Sequence, residues 1–225
     1  MPYLKSRNFV AAPFLAFSAA LLLNGAPAEG VTINVLINPG FELPGQPNSN
    51  SNHIGQIPTG YTIGSGPGTN SNQSNIARGT LNGNSPRSGS QYFDLTAQGT
   101  FFQQAFSLSN ASVVSFGGYF QQRDNQVGNG SGFTELYGTS GLLFSSPTVG
   151  MGGTPFSGNT YLLSTFTTPG LLAPGSYTFR VRMADPTSVD DVFVNANVSD
   201  LGSCFAMLFT GVGSLVGMRR FLKLA

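Results

Sequence analysis

Apolar and polar residues alternate in short runs along the middle of the chain. The clearest run is Ser176–Met183, where the four apolar residues at alternate positions from Tyr177 onward share one face of a strand. Further β-branched or aromatic runs cover residues 31–37, 91–96, 101–108, 112–121, 161–167 and 189–196. Gly, Pro and Asn separate the runs, and no long run has a helical period. We therefore predict an all-β ectodomain over residues 29–197, a β-sandwich of short strands.

Residues 44–86 interrupt this pattern, because they are crowded with Asn, Ser, Gly and Pro and hold few apolar residues. A long loop of this kind either carries a binding surface or is a solvated insertion whose side chains favour turns. We interpret the segment as a loop region, and the composition favours the solvated insertion.

The first 28 residues have the layout of a secretory signal. Lys5 and Arg7 precede a short apolar run, and Ala26 and Ala28 then supply the small residues that signal peptidase accepts. The apolar run is shorter than the roughly 20 residues that span a bilayer. We therefore predict a signal peptide over residues 1–28, with an N-terminal signal helix, rather than a membrane anchor.

The other end of the chain carries an uncharged apolar stretch over residues 204–218, directly followed by Arg219, Arg220 and Lys223. With the preceding residues it approaches the length of a transmembrane helix. The basic residues predict that its end stays on the cytoplasmic side. The alternative, a core element of the ectodomain, does not explain a basic cluster at the end of the apolar stretch.

The residues before this stretch resemble a sorting signal of the PEP-CTERM type, in the variant that opens Val-Pro-Asp-Ser-Gly. The matching residues are Val198, Asp200, Gly202 and Ser203. The resemblance covers residues 198–225 and includes the apolar span and Arg219-Arg220. It implies an exosortase-like membrane protease as partner. That protease would release a protein held transiently at the inner membrane to the cell surface or extracellular matrix.

Composition excludes several classes of function. Only 8% of the residues are charged and the net charge is +1, so the chain lacks the basic face that nucleic-acid binding requires. One His and one Cys are too few for a zinc site or a disulfide framework. No spacing singles out a pair of carboxylates for hydrolysis. We therefore expect no enzymatic activity.

Five short motifs along the ectodomain resemble the galactose-binding-like carbohydrate-binding modules. They are Leu36–Glu42, Ile57–Thr62, Ser90–Leu95, Ala173–Phe179 and Val189–Val194. The resemblance implies a jelly-roll of two antiparallel sheets and a structural calcium held by Glu42 and Asp191, since Ca²⁺ takes carboxylate oxygens. The alternative is that hydrogen-bond donors neutralise the acids, with Asp190 in solvent and Asp191 on the backbone amides of a turn.

Sugar binding requires exposed rings beside polar side chains. The candidate rings are Tyr92, Phe101, Phe102, Tyr119 and Tyr137, and the candidate polar groups are Gln103, Gln104, Gln121, Gln122, Arg123 and Asp124. Because the chain has 19 Phe and no Trp, most rings are expected to fill the core. The main prediction is therefore an exported, non-enzymatic surface or matrix protein. The alternatives are a secreted module that binds matrix polysaccharide and a permanently anchored surface protein.

Overall fold

The computed structural model describes residues 31–45, 51–54, 56–64, 74–80, 83–95, 101–122, 130–150, 160–184 and 187–198. These ranges form strands and turns without a helix, and so contain no helix that could cross a membrane. The predicted signal peptide, with Ala26 and Ala28, lies outside them. So do the predicted transmembrane helix and the sorting residues Asp200, Gly202, Ser203, Arg219 and Arg220. Val198 is the last described residue.

Short strands follow one another along the described chain. They are β1 (Val31–Asn34), β2 (Ser51–Ile54), β3 (Thr62–Gly64), β4 (Ser74–Arg78), β5 (Gln91–Leu95), β6 (Phe101–Leu108), β7 (Val114–Gln122), β8 (Ser131–Gly138), β9 (Gly141–Ser145), β10 (Val149–Gly150), β11 (Leu162–Thr167), β12 (Gly175–Ala184) and β13 (Thr187–Val198).

The strands form two antiparallel sheets, as predicted. Sheet A has the order β11-β7-β13-β5-β4-β2, with β1 pairing along the second half of β13. Sheet B has the order β10-β8-β12-β6-β3, with β9 also pairing with β8. Consecutive strands often belong to different sheets, so the core forms where the apolar faces of the two sheets meet.

The core is rich in phenylalanine, which confirms the expectation from composition. Phe102 lies at the centre of one aromatic cluster, with ring centroids 4.7 Å from Phe93, 5.3 Å from Tyr61 and 5.5 Å from Phe41. The predicted alternation in β12 is also confirmed, because Phe179, Val181 and Met183 are buried and Tyr177 packs against the core. These contacts bury most of the large apolar side chains that drive folding.

The structure differs from the sequence prediction over residues 44–86, because the described parts of this segment contain β2, β3 and β4. These strands have three to five residues, and their sequences are largely polar. Such short runs show no hydrophobic period, so backbone pairing defines them instead: β3 pairs with β6, β4 with β5, and β2 with β4. The strands β8, β9 and β10 were likewise not predicted.

A β-bulge interrupts the pairing of β13 with β7. Asp190 lies opposite Tyr119, but the next paired residue, Phe193, lies opposite Gly117, so β13 carries one extra residue here. Asp191 has a φ of 49°, a left-handed conformation that Asp tolerates better than most residues. Bulges of this kind redirect a side chain out of the sheet pattern. This one separates the environments of the two adjacent acids.

Candidate functional site

Asp190 is a buried acceptor that fixes the segment before β5 onto sheet A. Its side chain is fully buried, and Oδ2 accepts hydrogen bonds from the backbone N–H groups of Arg87 at 2.8 Å and Ser88 at 3.2 Å. Oδ1 accepts from the N–H of Asp191 at 2.8 Å. Burial, and then the charge of Asp191, raise the pKa of Asp190 to about 8, although the three N–H donors act in the opposite direction.

Glu42 holds the next part of the same segment. Its Oε1 accepts from the backbone N–H groups of Ser90 at 2.8 Å and Gln91 at 2.9 Å, and its Oε2 accepts from the Ser90 hydroxyl at 2.8 Å. Gly89 has a φ of +61°, and a Cβ there would collide with Glu42 Oε1. Only glycine therefore allows the backbone to close over this carboxylate.

Asp191 is bound by side chains rather than by backbone amides. Its Oδ2 accepts from Arg87 Nη1 at 2.5 Å and its Oδ1 from the Ser88 hydroxyl at 2.6 Å. The Arg87 guanidinium also lies 3.5 Å from the ring centroid of Tyr119. The alternative predicted from the sequence therefore has the roles of the two acids reversed. In the structure Asp190 accepts hydrogen bonds from the backbone amides of the turn, and Asp191 is partly exposed.

The structure brings the two predicted calcium ligands, Glu42 and Asp191, onto one short segment, residues 88–90. Each of their four oxygens already accepts at least one hydrogen bond, and three of them keep a lone pair. The described residues contain no cluster of three or more His, Cys, Asp or Glu. The pair could thus supply up to three of the six to eight oxygens that Ca²⁺ takes, with carbonyls or water supplying the rest. Calcium binding stays a prediction.

An open depression of about 400 Å³ lies next to Asp191 on the outward face of sheet A. We call it the groove. Its lining residues are Asn34, Pro39, Tyr119, Asp191, Val192, Phe193 and Asn195. They converge because β1 and β7 flank the part of β13 that follows the bulge. The groove is thus a product of strand pairing, and three segments distant in sequence contribute to it.

Several polar groups of the groove have no hydrogen-bond partner within the described residues. No hydrogen bond joins the Tyr119 hydroxyl or the Asn195 amide to the described chain. Asn34 Oδ1 accepts from the N–H groups of Leu36 at 3.1 Å and Val194 at 3.2 Å, which fixes the side chain and leaves its Nδ2 for other acceptors. The groove therefore presents positioned donors and acceptors that a polar ligand can use.

Two half-buried rings accompany these groups. The Phe193 ring lies over Gly117, where a Cβ would come within 2.9 Å of Phe193 Cζ, and the Arg87 guanidinium covers one side of the Tyr119 ring. Both rings are fixed by these contacts, so no ordering of the rings is needed when a ligand binds.

The structure separates the predicted sugar-contacting rings into three groups. Tyr119 lines the groove. Phe102 is in the core, and Tyr92 is only 1% exposed although it lies on sheet A, so neither ring can contact a ligand. Phe101 and Tyr137 are half-buried on the outward face of sheet B.

The predicted polar groups are divided in the same way. Gln104 is buried and bonds to both the N–H and the carbonyl of Ile37, and Gln121 is also buried. Gln103 lies on the outward face of sheet B beside Phe101. Arg123 and Asp124 lie outside the described residues.

Sequence reasoning missed Arg87, Asn34, Phe193 and Asn195. For the last two a signal existed, because Phe193 and Asn195 alternate with the buried Val192, Val194 and Ala196 along β13. No signal related Arg87 or Asn34 to them, since only the fold brings these residues together.

No family model matches the chain, and no curated protein matches it. Three solved structures are similar in part. TmCBM61, solved in complex with β-1,4-galactotriose, is 12% identical, with 72% of this chain and 97% of that chain covered and a TM-score of 0.48. A carbohydrate-binding module of Cellvibrio mixtus lichenase 5A, in complex with cellotriose, is 15% identical, with 55% of this chain and 86% of that chain covered and a TM-score of 0.38. CsCBM6-3 from Clostridium stercorarium, in complex with cellobiose, is 16% identical, with 76% of this chain and 97% of that chain covered and a TM-score of 0.33. All three TM-scores lie below 0.5, so these similarities carry no argument about function. The proposed function is argued from the geometry of the groove instead.

Proposed function

We propose that this protein is a non-catalytic glycan-binding module and that the groove is its binding site. One observation carries the proposal: two fixed rings, Tyr119 and Phe193, lie beside unpaired polar groups, among them the Asn195 amide, in one open depression. A pyranose has an apolar C–H face and a rim of hydroxyl groups. Rings and planar amides match those two features, and an open groove admits one stretch of a longer chain.

The charges around the groove favour a neutral glycan. Among the described residues, Arg87 is the cation that contacts the groove residues Tyr119 and Asp191, and Asp191 neutralises it at 2.5 Å. The neighbouring Asp190 is an acid, so it contributes no positive charge. The ectodomain as a whole has five Arg against eight acidic residues. A carboxylate-bearing sugar would therefore find no uncompensated cation here.

The test is binding of the detergent-solubilised full-length protein to an array of neutral oligosaccharides, followed by calorimetry with the best binder. We expect Tyr119→Ala and Phe193→Ala each to weaken binding about tenfold, because each removes a ring contact. Leu142→Ala is the matched control, since it truncates an exposed apolar side chain on sheet B, and should bind like the unaltered protein. Absence of binding to every neutral glycan, or equal affinity of Tyr119→Ala, would contradict the proposal.

We also propose that the protein is exported and sorted through its C-terminal signal. The support is the sequence pattern of residues 198–225. Mass spectrometry of the surface-exposed protein tests this, and an intact C-terminus at Ala225 would contradict processing.

Calcium is proposed as a structural ion rather than a participant in sugar binding. Glu42 and Asp191 would hold the ion, whose charge would stabilise the two carboxylates. The two carboxylates and the close backbone at Gly89 support this, and its measurable consequence is an effect on stability.

A further inference from the structure

The outward face of sheet B contains a second organised cluster. Arg180 and Arg182 occupy alternate positions on β12, so both point outward, away from the buried Phe179, Val181 and Met183. Pairing with β6 and β8 places Gln103 and Glu135 opposite Arg180, and Phe101 and Phe133 opposite Arg182. We call these side chains, with Tyr137, the arginine face.

Arg180 is held by side chains of both neighbouring strands, β6 and β8. Nε and Nη2 donate to Gln103 Oε1 at 3.2 and 3.0 Å, and Nη1 donates to the Tyr137 hydroxyl at 3.1 Å. Its Cζ lies 3.9 Å from the ring centroid of Phe101 and 4.3 Å from that of Tyr137. The Phe101 ring in turn lies over Gly64 of the adjacent strand, where no side chain intervenes.

Arg182 is paired with an acid that lies deeper than itself. Nε donates to Glu135 Oε2 at 2.7 Å, and the same oxygen accepts from the Tyr137 hydroxyl at 3.0 Å. The Glu135 side chain is 9% exposed and the Arg182 side chain 32%. The carboxylate therefore forms the floor of the cluster, and the guanidinium is the part that solvent reaches.

The arginine face concentrates positive charge in a domain that has little. Arg180, Arg182 and Glu135 are the charged residues in the strands of sheet B, so this face has a net charge of +1. The ectodomain as a whole is negative, with five Arg and eight acidic residues. Guanidinium groups fixed in advance lose little conformational entropy on binding, and their planar forks match carboxylate and sulfate oxygens.

We propose that the arginine face binds the acidic groups of an anionic polysaccharide, carboxylates or sulfate esters, at a site independent of the groove. A polymer is favoured over a small anion because, among the described residues, the face is a sheet surface that does not enclose a ligand. Two neighbouring guanidinium groups can then bind acidic groups that repeat along one chain, while the rings of Tyr137 and Phe133 contact the sugar between them.

The experiment uses the detergent-solubilised full-length protein, at low ionic strength, in affinity electrophoresis through gels containing polygalacturonate, dextran sulfate or unmodified dextran. We expect retardation by both polyanions and none by dextran. Arg182→Gln should weaken polyanion binding about tenfold, since it removes a charged hydrogen-bond donor. Arg182→Lys, which keeps the charge but not the fork, should retain part of the binding. Glu135→Gln should strengthen it, because the cation loses its competing anion.

Two controls keep the result interpretable. Arg78→Gln removes the same charge from β4 of sheet A, so it should leave polyanion binding within about twofold of the unaltered protein if the site is local. Neutral-oligosaccharide binding by Arg182→Gln reports on the groove separately and confirms that the variant is folded.

Several outcomes would overturn the proposal. These are equal retardation of Arg182→Gln and the unaltered protein, equal losses in Arg78→Gln and Arg182→Gln, weakening by Glu135→Gln, and absence of retardation by polyanions. Binding of free galacturonate as tightly as polygalacturonate, per acidic group, would overturn the choice of a polymer. None of these results bears on the groove, whose test uses neutral sugars and the variants of Tyr119 and Phe193.

Discussion

In both sheets the side chains alternate between the core and the outward face, but the outward polar side chains of the two sheets differ in their exposure to solvent. On sheet A the outward residues Asp94, Ser188 and Asp190 are polar, yet all three are at most 1% exposed. The segment before β5 contributes to covering them, since Asn84 Nδ2 donates to Ser188 Oγ at 2.6 Å and Ser188 Oγ donates to Asp94 at 3.0 Å. On sheet B the outward residues Arg180 and Arg182 remain half-exposed.

This difference shows how each face satisfies its polar groups. On sheet A, donors from a covering segment satisfy the buried polar side chains. Asp190 by itself accepts hydrogen bonds from three backbone N–H groups, two of them from that segment. Sheet B uses side chains of neighbouring strands, which bond to one another across β6, β12 and β8. Where that coverage ends, the Tyr119 hydroxyl and the Asn195 amide have no hydrogen-bond partner among the described residues, and this boundary is the groove. The predictions below test how strongly each face depends on its own type of contact.

The largest effect is expected for Asp190→Ala, because it removes a fully buried side chain and leaves three part-buried N–H groups without this acceptor. We expect the free energy of unfolding to fall by about 3 kcal/mol, measured by chemical denaturation. The neighbouring substitution Asp191→Ala is the matched control and should lower it by about 1 kcal/mol or less, since the Arg87 pair is partly exposed. Equal losses in the two variants would contradict the assigned difference between the two acids.

Gly89→Ala is expected to lower the free energy of unfolding by about 2 kcal/mol, because the left-handed conformation is strained for alanine and the new Cβ meets the Glu42 carboxylate. Gly170→Ala provides the comparison, since no atom lies within 4 Å of a Cβ there. Its effect should stay within about 0.5 kcal/mol. If Gly89→Ala is as mild as Gly170→Ala, the segment does not depend on close contact with Glu42.

The calcium proposal predicts a moderate gain in stability. For a site with a Kd of about 1 mM, 10 mM Ca²⁺ adds about 1.4 kcal/mol to the free energy of unfolding relative to a chelated sample. Thermal melts with and without EDTA measure this difference, and Glu42→Gln should remove it. Identical melts would mean that the hydrogen-bond donors alone neutralise Glu42 and Asp191.

The smallest effect is expected on sheet B. Arg180→Ala removes hydrogen bonds and two ring contacts, but at a half-exposed site, so we expect a loss of about 1 kcal/mol. Ser107→Ala, at an exposed outward position of β6, should change the free energy of unfolding by less than about 0.5 kcal/mol. A loss from Arg180→Ala as large as that from Asp190→Ala would show that the two faces do not differ in the way proposed.

Much of the fold could be predicted because burial on one face leaves a period of two in the sequence. β12, with Phe179 and Val181 inward, and β6, with Phe102 inward, are clear examples. The short strands β2, β3 and β4 could not be predicted, because their residues carry no such period and their pairing partners define them. β9 was missed for a related reason, since it is an edge strand of Gly, Leu, Phe and Ser that is exposed over much of its length.

Less of the candidate site could be predicted. Asp191 was named as a calcium ligand from the resemblance and Tyr119 from its residue type, and both line the groove. Tyr92 was named on the same grounds and is buried, because residue type does not reveal whether other segments cover an outward position. Asn34 lines the groove and Arg87 contacts its residues Tyr119 and Asp191, but both are far from β13 in sequence, so nothing local relates them to the groove.

The sequence by itself determined that this domain is a β-sandwich with a phenylalanine-rich core and little charge, because period-two burial and composition are local properties. The two terminal segments are predictions of the same local kind. Only the tertiary structure decided which outward residues are covered, how the bulge of β13 separates Asp190 from Asp191, and where unpaired groups and rings meet. Those features depend on contacts between segments as far apart as Asn34 and Val194, which no local pattern encodes.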